Sequence, residues 1–127
     1  MQAIEPSELY GLFSRYFSAG ALDLLLTLYE DNAVILPAPG QIAEGKAAIR
    51  EVLQGFLALN GGFQIDEPVV AQSGDVALIM SKWTLKGTSG DGEAVQIEGQ
   101  TSDVVRRQAD GSWLFVIDNP FGAQFLG

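Results

Sequence analysis

Cysteine and histidine are both absent from this chain. Without cysteine there is no disulfide framework, no thiolate nucleophile and no thiolate-bound metal. Without histidine there is no Ser-His or Cys-His catalysis, no imidazole metal site and no ordinary proton shuttle near neutral pH. Any general base must be a carboxylate, a lysine or a tyrosine. Basic residues are scarce, seven against sixteen acidic ones, for a formal charge of −9. That balance argues against nucleic acid and anionic membranes as partners, since both want basic faces. Long apolar runs are missing too. The longest, around Leu24 to Leu26, is far too short to span a bilayer. The opening MQAIEPSELY has neither a basic n-region nor an apolar h-region, so no signal peptide is read there and a cytoplasmic location is expected. No acidic triplet has the spacing of a calcium loop, and the glycine-rich Gly87 to Gly92 lacks the lysine and following helix of a phosphate loop. No metal or cofactor is expected.

What is present is a globular composition: 127 residues, 47% hydrophobic and 18% charged. A chain of this length is expected to form one domain over residues 1–127 and to bury a sizeable core. Its first half is helical in pattern. Pro6-Ser7-Glu8 opens a helix whose stripe is Leu9, Leu12, Phe13, Tyr16 and Phe17. Gly20 suits its C-terminal cap. A shorter helix is predicted from about Ala21 to Tyr29, then a turn at Glu30-Asp31-Asn32 and a short strand from Ala33 to Leu36. Pro37-Ala38-Pro39-Gly40 stops that strand, and Gln41 to Glu44 suits another. A third helix runs from Lys46 to about Leu59 and ends at Asn60-Gly61-Gly62.

From Phe63 the period changes to strands. They are predicted at Phe63–Gln72, with Pro68 marking an edge or bulge, and at Val76–Lys86, Ala94–Gln108 and Ser112–Asn119. Three helices followed by an antiparallel meander is an α+β pattern. Asp110-Gly111 is the strongest hairpin signal in the chain. A two-residue turn there pairs Ala109 with Ser112 and sets Asp103 directly across from Asp118. Opposed carboxylates are a liability in a purely structural strand pair. They are also a way to keep a proton at neutral pH. In that register one face carries Asp103, Val105, Leu114, Val116 and Asp118. The other carries Val104, Trp113, Phe115 and Ile117, with Arg106 and Asn119. A sheet apolar on both sides is covered on both, so helices are expected on one face and a second copy of the chain on the other, the alternative cover being a loop or the C-terminal Phe121 to Leu126 segment.

The order of elements resembles the nuclear transport factor 2-like superfamily, in its SnoaL-like and ketosteroid-isomerase-like branch. The resemblance rests on Leu28-Tyr29-Glu30-Asp31-Asn32-Ala33, on Glu44-Gly45-Lys46, and on Asp103-Val104-Val105-Arg106 followed by Asp110-Gly111-Ser112-Trp113. It implies a cone-shaped α+β fold, with three N-terminal helices packed on a curved, mostly antiparallel sheet that encloses an apolar pocket. It also implies homodimers built sheet to sheet. Asp103 matches the oxyanion-hole aspartic acid of the isomerases. Their first-strand base falls at Pro37 here, and their helix tyrosine falls near Leu12, one turn before Tyr16. The histidine of many SnoaL-like relatives is replaced by Ile117-Asp118-Asn119.

Asp103 and Asp118 are the candidate catalytic pair, one taking a proton while the other donates a hydrogen bond to a developing oxyanion. The alternative is that one of them caps a backbone N–H or pairs with Arg15, Arg106 or Arg107. Tyr16 and Tyr29 are candidate ligand contacts from the helices, or rings that simply pack. Trp83 suits either a pocket wall or a dimer interface. Thr101 shares the face of Asp103, and Val116 and Asn119 complete the candidate ligand contacts. The chain is expected to bind a small apolar or carbonyl-bearing molecule. It would act as a cofactor-independent isomerase or hydratase/lyase. The alternatives are a non-catalytic ligand-binding or association module, or a structural dimer whose pocket is filled, with a cavity below the usual ligand range of about 300 Å³.

Overall fold

A computed structural model describes residues 2–126. A 3-10 turn at Pro6–Glu8 leads into α1 (Leu9–Ser18), followed by α2 (Leu22–Leu26), β1 (Tyr29–Ala38), β2 (Gln41–Glu44) and α3 (Gly45–Leu57). The second half holds β3 (Gly62–Ile65), β4 (Val69–Ser73), β5 (Val76–Thr88), β6 (Ala94–Arg107) and β7 (Trp113–Asp118), and a 3-10 turn at Gly122–Leu126 follows. The strand order is β2-β1-β7-β6-β5-β3, and β4 also pairs with β5. All pairings are antiparallel except β1 with β7. The helices cover the inner face: α3 packs against β1 and α1 against β3. This is the cone-shaped α+β arrangement expected.

Several boundaries differ from the sequence reading: β1, for one, runs through Pro37 to Ala38 instead of stopping at Leu36, and three further differences shape the site. Helix α2 is only five residues long, and Tyr29 to Asn32 belong to β1, not to a helix and turn. A short helix has little stability of its own. Here Leu28 and Tyr29 are needed at the start of β1, where the Leu28 carbonyl accepts the Phe115 N–H at 2.8 Å. The long strand expected over Phe63–Gln72 is two strands, β3 and β4, split at Asp66-Glu67-Pro68. Proline lacks the N–H that a continuous ladder needs.

The third difference is the final hairpin. Its turn has three loop residues, not two: Gln108 N–H donates to Ser112 O at 2.7 Å and Gly111 N–H to Gln108 O at 2.9 Å. Gly111 adopts φ +87°, a conformation glycine enters without penalty. The Asp110 carboxylate accepts the Ser112 N–H at 2.9 Å and fixes the turn. The pairs are therefore Arg107 with Trp113, Arg106 with Leu114 and Val105 with Phe115. One extra residue in β7, Val116, then forms a bulge, beyond which Val104 pairs with Ile117. The longer turn and the bulge cancel, so Asp103 and Asp118 still come together. The faces change, however. Phe115 joins Asp103, Val105 and Asp118 on the inner wall, and Ile117 points outward at 38% exposure.

Glycines mark where the chain crosses itself closely. A Cβ at Gly87 would lie 2.4 Å from the Leu59 carbonyl oxygen, which Thr88 N–H binds at 2.7 Å. That contact joins the end of α3 to β5. Gly87→Ala is therefore expected to destabilise the fold by about 1–3 kcal/mol through overpacking. Gly11 is exposed on α1, and a methyl group added there would meet nothing within 4 Å. Gly11→Ala should stabilise by about 0.5–1 kcal/mol. Urea midpoints of the two variants test both signs, and equal midpoints would refute the close-approach argument.

Candidate functional site

The inner wall of β6 and β7 presents two carboxyl groups with almost no access to water. Asp103 is 1% exposed and Asp118 8%, and the two lie close enough for the charge of Asp118 to act on Asp103. Each is held by a tyrosine from another element. Tyr10 Oη of α1 donates to Asp103 Oδ2 at 2.6 Å, and Tyr29 Oη of β1 donates to Asp118 Oδ2 at 2.6 Å. Thr101 Oγ1 lies 2.8 Å from both Asp103 oxygens. The Asn119 backbone N–H donates to Asp103 Oδ1 at 2.9 Å.

Burial is the main cause that raises the pKa of both carboxyls above the ordinary aspartate range. The neighbouring charge of Asp118 pushes Asp103 up further. Burial, reinforced by these carboxylates, also holds both tyrosines above their usual range, so they remain neutral donors. Asp103 lies deeper, so desolvation falls harder on it and favours it as the proton holder. The donors around Asp103 pull the other way. Two of them have alternatives, however: the Tyr10 hydroxyl also reaches Ile79 O at 3.1 Å, and the Thr101 hydroxyl reaches Asn119 O at 3.3 Å. The pair titrates as a unit. Two of the arginines considered as its neutralising partners are engaged elsewhere, Arg106 with Glu30 and Arg107 with Asp75.

The pair forms one pole of a cavity of about 60 Å³, below the usual ligand range of about 300 Å³, which is the outcome expected of a largely filled pocket. Tyr10, Thr101, Asp103 and Asp118 make the polar wall. The rest is apolar and largely aromatic, with Phe13, Phe17, Phe56, Phe63, Trp83 and Phe115 around it. Among the described residues that line it, none is lysine or arginine. Among the described residues no acidic cluster could hold a metal ion, and no helix is long and apolar enough to cross a membrane.

The candidate residues divide into three groups. Asp103, Asp118, Thr101 and Trp83 line the cavity. Tyr29 and Asn119 do not line it; they brace the carboxyls, Tyr29 through its hydroxyl and Asn119 through its backbone. Tyr16 and Val116 are misplaced by the sequence reading. Tyr16 is buried on the arc of α1 that carries Leu9 and Leu12, about a quarter-turn from the cavity-facing arc of Tyr10, Phe13 and Phe17. Val116 occupies the bulge and is half-buried away from the cavity. Tyr10 was missed. The spacing Tyr10–Phe13–Phe17 is as regular as Leu9–Leu12–Tyr16, and a helix buried on two sides carries both stripes.

A family model described as the SnoaL-like domain matches residues 12–116. Among curated proteins none matches the chain by sequence. Several solved structures share the fold. A candidate scytalone dehydratase from Novosphingobium aromaticivorans has a TM-score of 0.78 at 18% identity, covering 88% of this chain and 77% of that one. A candidate ketosteroid isomerase from Shewanella frigidimarina has a TM-score of 0.76 at 17% identity, covering 91% and 95%. A nuclear transport factor 2-like superfamily protein from Salmonella enterica has a TM-score of 0.78 at 16% identity, covering 89% and 84%. At these identities the likeness is one of fold.

Raised carboxyl pKa values make stability pH-dependent with a definite sign. The folded state holds these protons more tightly than the unfolded chain, whose aspartates titrate near about 3.9. The contribution is present at low pH and is lost as pH rises through the folded-state values. Glu30, whose carboxyl is held below its usual range chiefly by the Arg106 hydrogen bond, acts in the opposite direction, and only in acid. Urea midpoints should therefore fall as pH rises above the ordinary carboxylate range of about 3.9. The double variant Asp103→Asn, Asp118→Asn should flatten that slope, and an unchanged slope would show that the pair is not the cause.

Proposed function

This chain belongs to the SnoaL-like domain family, and on that premise we propose that it is a cofactor-independent acid–base enzyme acting on a small, largely apolar carbonyl compound. The observation that carries the reading is the Asp103–Asp118 pair, buried together on the wall of an apolar cavity. As a purely structural element the pair is a poor choice. Two buried carboxyls that must retain a proton destabilise a core that apolar residues of similar volume would stabilise. Cost without structural gain is the mark of a working site.

Asp118, the less deeply buried member, takes a proton from the carbon next to the ligand carbonyl. Asp103 keeps its proton and donates a hydrogen bond to the oxygen on which negative charge develops. Returning the proton to a different carbon completes an isomerisation. Losing a β-hydroxyl as water completes a dehydration. Tyr10 and Tyr29 position the two carboxyls and set their electrostatics. The absence of a cation from the lining leaves the pole without a partner for an anionic ligand group, so the reacting end is uncharged.

Conversion of cyclohex-3-en-1-one to its conjugated isomer, followed by ultraviolet absorbance, tests the chemistry. Asp118→Asn should lower kcat at least 100-fold, the scale of a lost general base. Asp103→Asn keeps an N–H donor, so it should cost about tenfold and remove the alkaline limb of the pH profile. Activity should rise with pH as Asp118 ionises and fall as Asp103 loses its proton, both limbs lying above the ordinary carboxylate range. Turnover unaffected by either variant, or absent from the parent chain, would sink the enzymatic reading.

A second observation bears on assembly. The outer face of the sheet carries an uncharged row, Ala71, Leu78, Val104, Ile117 and Val34, in register across β4, β5, β6, β7 and β1. Val76 and Val69 extend it at 42% and 63% exposure. On a chain of charge −9 an uncharged apolar patch of this extent suits a second copy. Sedimentation should show a dimer, and Leu78→Glu should convert it to monomer. A monomeric parent at about 100 μM would reject a stable interface of the usual size of about 800 Å² per partner.

A further inference from the structure

The inner cavity offers negative charge and no positive charge to meet it. Two carboxyl groups in contact need hold only one proton between them. The pair then still carries one charge, and among the described residues that line the cavity none is lysine or arginine. Tyr10 and Tyr29 are the titratable groups that face the pair from α1 and β1, and both act as neutral donors. Arg106 and Arg107, close to Asp103 in sequence, are engaged by Glu30 and Asp75. A buried charge without a partner is costly. The missing component is a cation, and the lining does not supply it.

The rest of the lining suits an organic cation. The Phe63 ring lies 5.4 Å from that of Phe13 and 5.3 Å from that of Phe17, and Trp83 continues the wall at 6.0 Å from Phe63. Phe115 meets Phe13 edge-on at 6.5 Å. Aromatic walls of this kind recognise ammonium groups and bury the apolar stem that carries them. The pole is made chiefly of acceptor oxygens: those of Asp103 and Asp118 and, when its proton turns to Asn119 O at 3.3 Å, that of Thr101. A primary ammonium carries three N–H donors and no acceptor, which matches such a pole. A quaternary ammonium has no donor to offer it. At about 60 Å³ the cavity has room for about four or five atoms the size of a water molecule. It is not enclosed, so the rest of a longer ligand extends to solvent.

We propose that the cavity is a binding site for a primary ammonium on a short apolar stem, with the nitrogen at the Asp103–Asp118 pole and the stem against Phe13, Phe63 and Trp83. The cation pairs with the charge that the shared proton leaves over. Such binding needs neither isomerisation nor dehydration at the pair, so it stands apart from the catalytic reading. An amine seated there occupies the place of a carbonyl head and excludes it. The formal charge of −9 adds a general attraction for cations, which every cationic probe shares.

The probe is n-butylammonium. One control is 1-butanol, which has the same shape and no charge. The other is tetramethylammonium, which has the charge and no N–H donor. Chemical-shift titration of the Thr101 and Asn119 backbone amides should give n-butylammonium an affinity at least tenfold above either control at pH 8. Its preference over 1-butanol should shrink as pH is lowered toward the ordinary carboxylate value of about 3.9, because protonation of the pair removes the charge while the amine stays protonated. In the double variant Asp103→Asn, Asp118→Asn the preference should fall to about one. Retained binding of 1-butanol there shows that the cavity is intact. The proposal is overturned by equal affinities for n-butylammonium and 1-butanol in the parent, or by a preference that survives in the double variant. It is equally overturned if tetramethylammonium binds as tightly, or if the parent does not bind n-butylammonium. Should the double variant bind neither probe, the parent's pH dependence decides, and a flat preference rejects the site. Ketone turnover without n-butylammonium binding would reject the ammonium site and leave the carbonyl reading intact; n-butylammonium binding without turnover would do the reverse.

Discussion

Placing two carboxyl groups in contact away from water forces them to hold a proton, and the inner wall is arranged around that demand. Four elements meet at the pair. Helix α1 brings Tyr10, β1 brings Tyr29, β6 brings Thr101 with Asp103, and β7 brings Asp118 with the Asn119 N–H. None of these groups carries a compensating positive charge. Dipoles and hydroxyls replace what a buried arginine would ordinarily supply. The arrangement keeps both carboxyls titratable instead of locking one as a salt bridge. It also makes the site depend on the tertiary fold, since no two of its supports come from neighbouring turns of one helix.

This distribution explains what could be read from the sequence. The fold class was legible because amphipathic period and turn chemistry are local signals. Leu9 to Phe17 and Ile49 to Leu57 carry helical stripes, and Asp110-Gly111 marks the hairpin. The carboxyl pair was legible for the same reason, through the hairpin it belongs to. Tyr10 was not, because α1 is buried on two arcs and nothing local says which arc meets β6. Tyr29 was identified by type and misplaced by element. Its role depends on β1 lying parallel to β7, a pairing between segments more than 80 residues apart. Tyr16 and Val116 show the limit from the other side, since burial alone does not decide which wall a side chain joins.

The inner wall of this chain is distinguished by the residues it holds and by those it lacks. Proline stands at position 37 in the first strand, and histidine is absent altogether. The two carboxyls of the inner wall form one interacting pair instead of two separated residues. Coupling has a benefit and a cost. The pKa values of the members are driven apart by their own repulsion, which separates acid from base without further machinery. The cost is desolvation, and a largely aromatic lining makes that cost large.

The hairpin that delivers the pair has a further consequence. Its turn holds one residue more than the tightest connection, and β7 holds one residue more than its partner strand. Side chains alternate faces along a strand, so each extra residue by itself would rotate Asp118 from the inner wall to the outer. Together they restore the phase. Surface turns ordinarily accept insertions and deletions because nothing downstream depends on their length. Here a remote, solvent-exposed loop and a bulge near the site are locked in parity. Length changes in this hairpin can be inherited only in compensating pairs, which makes an ordinary Ala-Asp-Gly turn as constrained in length as the carboxyl-bearing wall is in residue type.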